Sequence, residues 1–333
     1  MTGTIASLLK DISTPSEVGT FLVRRLSPGS PYYVGRDSAG SAALFIASTG
    51  QGRSVPLRLA GIEARFSVPC RIAEPNAPEE TQTLTVILCI SREPGVEGYF
   101  AGVLEALVAN LGSVPTARSV GDAVDQLVNL FQKLQAPAKR SLAGLVGELC
   151  YLLLVADPVA AIAAWRADPY ERFDFVGGNL RLDVKASTTR GRSHDISFEQ
   201  ANVPTGTRGL FASLWIEPAA GGVSINELLA MIEQSVVSAP TAVAKLRSVV
   251  ADTLGSTLPV ALDWRFDLQL AKTSLSLFDA TTVPAVRAAL PVGVSAVRFA
   301  SDFARVPPLM TANFARDTAE IGLLPAQTAR NSE

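Results

Sequence analysis

The sequence holds a single histidine, His194, among its 333 residues. Histidine-based zinc chemistry needs at least two such ligands, and neither HExxH nor a CxxC pair occurs, so no zinc site is expected. The three cysteines (Cys70, Cys89 and Cys150) are odd in number, far apart and set in apolar runs. They read as buried free thiols in a reducing compartment, and the cytoplasm is the expected location. No GxxxxGK[ST] loop is present, so the chain is not expected to hydrolyse ATP itself. A GxSxG elbow is also missing; residues 293–297 read GVSAV, without the second glycine. The opening MTGTIASLLKDIST lacks a basic stretch followed by a long apolar run, so no signal peptide is expected. The most apolar stretch, residues 142–165, is interrupted by Glu148, Asp157 and Pro158, which argues against a membrane span. Charge of either sign is modest: 29 Lys and Arg stand against 31 Asp and Glu, for a net charge of −2. Nothing global attracts nucleic acid, so any such contact must come from a local basic face.

What is present is core material. Hydrophobic residues make up 48% of the chain, and the mean hydropathy of +0.27 argues against global disorder. The length exceeds the usual single domain. The pattern predicts a β-rich module over residues 1–115, a mixed core over 116–218, and a helical and strand region over 219–333. Strands are expected near 32–34, 42–47, 57–73 and 84–91, with a hairpin loop at 35–40 and a further loop at 74–80. Helical spacing marks 98–112, 120–134 and 140–156, and Asp157-Pro158 opens a short helix ending near Asp168-Pro169. Beyond these come a strand at 210–216, a turn at Gly221-Gly222, helices at 228–237 and 242–254, and strand-like runs at 264–278 and 294–299. A loose tail follows Leu324.

Residues 173–186, FDFVGGNLRLDVKA, carry the clearest chemistry. They alternate: Phe173, Phe175, Leu182 and Val184 fall on one face, Asp174, Asp183 and Lys185 on the other. Gly178-Asn179 suits a two-residue turn whose first position tolerates positive φ. That turn pairs Gly177 with Leu180, Val176 with Arg181 and Phe175 with Leu182, and sets Asp174 opposite Asp183; a three-residue turn would move Asp174 to the other face. Two facing carboxylates need a compensating charge. A divalent cation supplies one, and Lys185 contributes from the same face; Mg²⁺, with Mn²⁺ as a substitute, favours such oxygen ligands. The plain alternative is a solvated polar face on an ordinary hairpin, since Asp-x-Lys alone is a weak motif. Glu148, in the apolar helix GLVGELCYLLLV, costs several kcal/mol to bury unless paired or ligating (roughly 2–7 for an unpaired polar group). It either sits at a rim or meets the hairpin as a third acid.

The order of a helix acid, an Asp, and then Asp/Glu-x-Lys on the next strand resembles the PD-(D/E)XK nuclease superfamily. More closely, GLVGELCYL, AAWR, FDF, LDVKAS, HDISFEQ and LDWRFDL resemble a bacterial family of PD-(D/E)XK motif proteins, once a domain of unknown function. The resemblance implies an α/β (α+β) fold: a restriction-endonuclease-like mixed β-sheet core flanked by helices, with a β-rich N-terminal part. By position it implies catalytic roles for Glu148, Asp174, Asp183 and Lys185, with Glu148, Asp174 and Asp183 toward Mg²⁺. Phe173 stands where the superfamily name has proline, and Asp183 where the family more often has glutamate; neither departure argues for an inactive site. The resemblance also implies DNA as substrate and a role in restriction-like defence against phage, beside methyltransferase and ATPase subunits. A dimer is compatible with this, and no membrane partner is expected.

The polar segment 187–194 follows the hairpin directly. Arg190 and Arg192 are placed to meet phosphates, and His194 to bind phosphate or move a proton. The alternative is a solvated loop leading to a helix cap at Ser197. Gln200 is a candidate for nucleic-acid contact because it recurs in the family pattern. Trp165, Trp215 and Trp264 fit packing better than base stacking. The leading expectation is thus a Mg²⁺-dependent DNA endonuclease. The runner-up is a catalytically silent scaffold that keeps the fold to bind DNA or a partner protein.

Overall fold

Alternation of apolar and polar residues shapes the first third of the chain. In the computed structural model, which describes residues 5–59, 61–73, 80–93, 95–134, 136–137, 141–166, 172–309 and 318–326, two units emerge. The first comprises Met1–Lys139 with Val250–Val260, and the second Arg140–Val249 with Ala261–Glu333. The first unit opens with α1 (Ile5–Lys10), followed by β1 (Phe21–Arg25), β2 (Tyr32–Asp37), β3 (Ala42–Ala47), β4 (Leu57–Leu59), β5 (Ile62–Ile72) and β6 (Glu80–Cys89). These strands form one antiparallel sheet in the order β1-β2-β3-β6-β5-β4. Tyr33, Phe45, Leu84, Val86 and Leu88 cluster on one of its faces. Helices α2 (Val96–Leu111) and α3 (Ala117–Lys133) follow, and Phe100 meets Phe131 edge to face at 6.1 Å. On α3, Val124, Leu127 and Phe131 are buried as the helical spacing predicts, while Val128, expected on the same face, is only half-buried. Strand β1 was not legible: its exposed middle gives no alternation. The expected 74–80 loop lies outside the described residues except for Glu80, which begins β6.

In the second unit, Ser141 caps α4 (Leu142–Leu154) by accepting a hydrogen bond from Gly144 N. Residues 145–152 of α4 are all buried, so this helix is central rather than amphipathic. Asp157 caps α5 (Pro158–Ala164), with proline in the first turn as expected. Asp168 and Pro169, the expected end of that helix, lie outside the described residues. Next come β7 (Phe175–Gly177), β8 (Leu180–Ser187), β9 (Ser193–Ser197), α6 (Phe198–Ala201) and β10 (Arg208–Trp215). The chain continues through β11 (Pro218–Ser224), α7 (Ile225–Ser235), α8 (Pro240–Leu254), α9 (Leu258–Ala261), β12 (Arg265–Phe266), α10 (Leu268–Ser274), β13 (Ser276–Asp279), β14 (Arg298–Asp302) and α11 (Thr318–Leu323).

The central sheet of this unit runs β13-β10-β8-β7. It is mixed: β7 and β10 flank β8 antiparallel and parallel respectively, and β13 is antiparallel to β10. Helix α4 packs on β8 and α10 on β10. Ile196, Phe211, Phe278 and Phe303 form a separate buried cluster. This is the mixed sheet flanked by helices that the sequence led us to expect.

Several local expectations are corrected. The run 264–278 is not continuous strand. Asp267 accepts a hydrogen bond from Leu270 N at 2.9 Å and starts α10 within it. The expected loop 187–194 already enters β9 at Ser193, which pairs with β14. The strand expected at 294–299 begins only at Arg298. Gly221-Gly222 lies inside β11 rather than in a turn; a Cβ on Gly222 would stand 2.1 Å from the Phe266 carbonyl oxygen, so only glycine fits there. Of the tail after Leu324, Ala326 N donates to Leu154 O at 2.8 Å, and residues 327–333 lie outside the described residues. Among the described residues, no helix is long and apolar enough to cross a membrane.

Gly147 sets the approach of α4 to the sheet, since a Cβ there would lie 2.7 Å from the Ala186 Cβ. Gly147→Ala is therefore expected to lower stability by about 1–3 kcal/mol through overpacking, despite alanine's better helix propensity. Urea unfolding of wild type and variant measures the difference.

Candidate active site

The hairpin forms in the register its sequence dictates. Gly177 pairs with Leu180, Val176 with Arg181 and Phe175 with Leu182, and Gly178 takes φ +54° at the turn. Asp174 lies one residue before the ladder, where its side chain takes over the role of a strand partner: Asp174 Oδ2 accepts a hydrogen bond from Val184 N at 2.9 Å. Phe175 anchors this end of the hairpin. It stacks on Trp165 (6.4 Å, 14°) and packs against Tyr151 (5.4 Å). Trp165 bridges to Phe175 through the backbone, and Arg166 N donates to Asp174 O at 2.8 Å.

One cavity of about 820 Å³ is lined by Glu148, Asp174, Asp183, Lys185 and Gln200. The three acids are buried, at 3–4% exposure, so each depends on specific donors. Lys185 Nζ sits 2.6 Å from Asp183 Oδ2. Gln200 Nε2 donates to Asp183 Oδ1 at 2.7 Å, and Gln200 Oε1 accepts from Lys185 Nζ at 3.2 Å. The helix acid has its own holders: Trp165 Nε1 donates to Glu148 Oε2, and Arg166 donates to Oε1, each at 2.6 Å. Burial, together with the charge of Asp174, pushes the Glu148 carboxyl up to about 8, against the pull of the Arg166 guanidinium.

Four residues expected at this site (Glu148, Asp174, Asp183 and Lys185) therefore share one cavity, and Gln200 joins them. The other three expected at nucleic acid are placed elsewhere. Arg190 is exposed and pairs with Glu217 at 2.8 Å. Arg192 turns inward, where its guanidinium donates to the Ser213 carbonyl and hydroxyl, to Ser274 O and to Ser276 Oγ. Those contacts consume its phosphate-binding fork. His194 is buried, with Nε2 2.7 Å from Ser213 Oγ. Burial, then the charges of Lys185 and Arg192, hold its imidazole down at about 4, so it is neutral at pH 7. Sequence reasoning gave Trp165 only a packing role and Arg166 none, although both lie in the AAWR segment it singled out. It also missed Arg172 and Arg298, which line the cavity; neither stands in a motif, so they carried no signal.

The donor set suits a hard divalent cation, because four carboxylates (Glu148, Asp174, Asp183 and Glu199) and no softer ligand line the cavity. Its arrangement is looser than a full protein cage: among the described residues, no three acidic, histidine or cysteine side chains gather closely enough to hold one ion. Mg²⁺ does not need such a cage, since it is commonly bound through one or two carboxylates plus substrate phosphate and water. Asp174 and Asp183 fit that pattern. Glu148, with both oxygens engaged, would have to share a donor's place.

A buried acid whose proton is held more tightly when folded destabilises the protein as pH rises. Between about 4.5 and about 8 the unfolded chain loses this proton and the folded one keeps it, so stability falls across that window. Without divalent metal, Glu148→Gln is expected to remove this contribution. The stability difference between variant and wild type should then shift in the variant's favour from pH 5 to pH 8. Urea midpoints at several pH values read it out, and parallel curves would rule out the shifted carboxyl.

A family model described as "Putative PD-(D/E)XK family member, (DUF4420)" matches residues 5–304 of the chain. No curated protein and no solved structure matches it. The mixed sheet of the second unit fits the restriction-endonuclease-like fold that this description implies. With the match spanning most of its length, the protein belongs to this PD-(D/E)XK family.

Proposed function

We propose that the protein is a Mg²⁺-dependent DNA endonuclease working in a bacterial restriction or anti-phage system, beside methyltransferase and ATPase subunits. One observation carries the catalytic part of this reading: Asp174, Asp183 and Lys185, brought by adjacent strands, meet in a single cavity with Glu148 on its wall. Family membership supports the nuclease chemistry, and the resemblance of the motifs supports the cellular role.

Asp174 and Asp183 would hold the cation, with Glu148 beside them. Bound there, a divalent ion would polarise a phosphoryl oxygen and lower the pKa of water. Lys185 presents an ammonium next to Asp183, where it orients the attacking water and offsets charge that develops on phosphate. Arg298 adds a cationic group to the cavity lining that suits a phosphate backbone, while Arg172 lies there ion-paired with Glu199. The acids and the lysine are fixed before substrate arrives, so the geometry is pre-organised.

A second reading is a silent scaffold of the same fold. It is favoured by the engagement of both Glu148 oxygens and by the lack of a three-ligand cluster among the described residues. Plasmid DNA and an RNA of matched length, each incubated with Mg²⁺ or Mn²⁺, separate the two. Metal-dependent cleavage of DNA is expected, with Asp183→Ala and Lys185→Ala each slower by about 100-fold or more. Cleavage that both variants retain in full would refute the assignment of the site. A wild type inert with and without candidate partner subunits would favour the scaffold, and preferential cutting of RNA would change the substrate class.

A further inference from the structure

Gln200 was expected to touch nucleic acid, but its surroundings give it another task. Its amide oxygen accepts hydrogen bonds from Lys185 Nζ at 3.2 Å and Ser197 N at 3.0 Å. Its amide nitrogen donates to Asp183 Oδ1 at 2.7 Å and to Arg172 O at 3.0 Å. Both N–H donors and both acceptor sites of the amide are thereby used. The side chain is buried, with 7% exposure. It has neither a free donor nor a free surface for a base edge.

We propose that Gln200 is a positioning residue, whose amide clamps the Asp183 carboxylate and the Lys185 ammonium in fixed relative orientation. The proposal rests on reading the cavity as a nuclease site. Its physical basis is the polarity of the amide. An acceptor must face the ammonium and a donor must face the carboxylate, and a primary amide offers both, with two donors and an acceptor oxygen across one planar group. A flipped amide would set NH₂ against Lys185 and C=O against Asp183, so the network admits a single orientation.

The local sequence sharpens this. Ser197 and Gln200 form a capping box at the start of α6: Ser197 Oγ accepts from Gln200 N at 3.2 Å, and Gln200 Oε1 accepts from Ser197 N. Glutamate serves as well as glutamine in that box. Capping therefore does not explain the choice of glutamine. Asp183 does, because glutamate would turn an acceptor toward a buried carboxylate. The clamp also divides the lysine's hydrogen bonding. Without it, Lys185 is drawn wholly to Asp183; with it, Lys185 Nζ is held by two acceptors from different elements.

The capping box provides a variant that separates positioning from folding. Gln200→Glu keeps the cap and should melt within a few degrees of wild type, while Gln200→Ala removes both cap and clamp. For Gln200→Glu the expected result on DNA is a fall in kcat of about 10–100-fold with KM little changed, since a small misplacement at the reacting centre suffices for such a loss. An independent readout is the acylation of Lys185 by acetic anhydride, followed by mass spectrometry. It should be several-fold faster in Gln200→Ala than in wild type, with other lysines as internal reference. A rise in KM at unchanged kcat would overturn the proposal in favour of direct nucleic-acid contact. Unchanged kcat, or unchanged Lys185 acylation in a folded Gln200→Ala protein, would also overturn it. If wild type cuts no nucleic acid yet Lys185 acylation still accelerates, the clamp stands and the nuclease reading falls.

Discussion

Three carboxylates are buried along one wall of the second unit, and the local architecture follows from the need to satisfy them. An acid removed from water without donors costs several kcal/mol, more than a single packing contact returns (roughly 2–7 even for a neutral polar group). Each is met in a different way. Asp174 takes a backbone amide of the neighbouring strand, Asp183 takes a lysine and an amide side chain, and Glu148 takes an indole and a guanidinium. The result is a polar lining inside an apolar shell, held by donors from three segments: β8, α6 and the Trp165–Arg166 pair. Such networks are rigid when complete and costly when broken. That suits a site whose reacting groups must be in place before substrate arrives.

The same requirement explains the packing around the hairpin. Trp165 is fully buried, yet its ring nitrogen reaches Glu148 while its face stacks on Phe175. One side chain thus ties the helix acid to the strand that carries Asp174. Arg166 does the same with its backbone and side chain, donating to the Asp174 carbonyl and to the Glu148 carboxylate. It takes φ +45° to do so, an unusual conformation for a residue with a side chain. Trp165 and Arg166 therefore brace the acids, and the backbone strain at Arg166 is offset by the contacts it makes.

The legible parts of this protein are those set by local chemistry. Alternation and the Gly178-Asn179 turn fixed the hairpin register, because a one-residue slip would expose Phe175 and Leu182. Ser197 was readable as a cap because a serine oxygen serves the amide three residues on. The misses come from tertiary context. Arg192 looks like a phosphate ligand in sequence, but four oxygens from β10 and the segment around β13 draw it inward. Leu268 and Leu270 sit in a strand-like run, and only the cap at Asp267 diverts them into a helix. Gln200 looks unremarkable until Lys185 and Asp183 stand on either side of it.

The parallel pairing of β8 with β10 also orders the assembly of the site in time. The β7–β8 turn is two residues long and closes locally, so the acids at 174 and 183 come together within a short loop. Parallel neighbours require a crossover, and here the crossover contains β9 and α6, the segment that delivers Gln200 over the strand. Long-range closures of this kind come later than hairpins. A growing chain that has emerged only to residue 190 therefore carries three acids and a lysine without the amide that organises them, and Gln200 arrives only with the crossover toward β10.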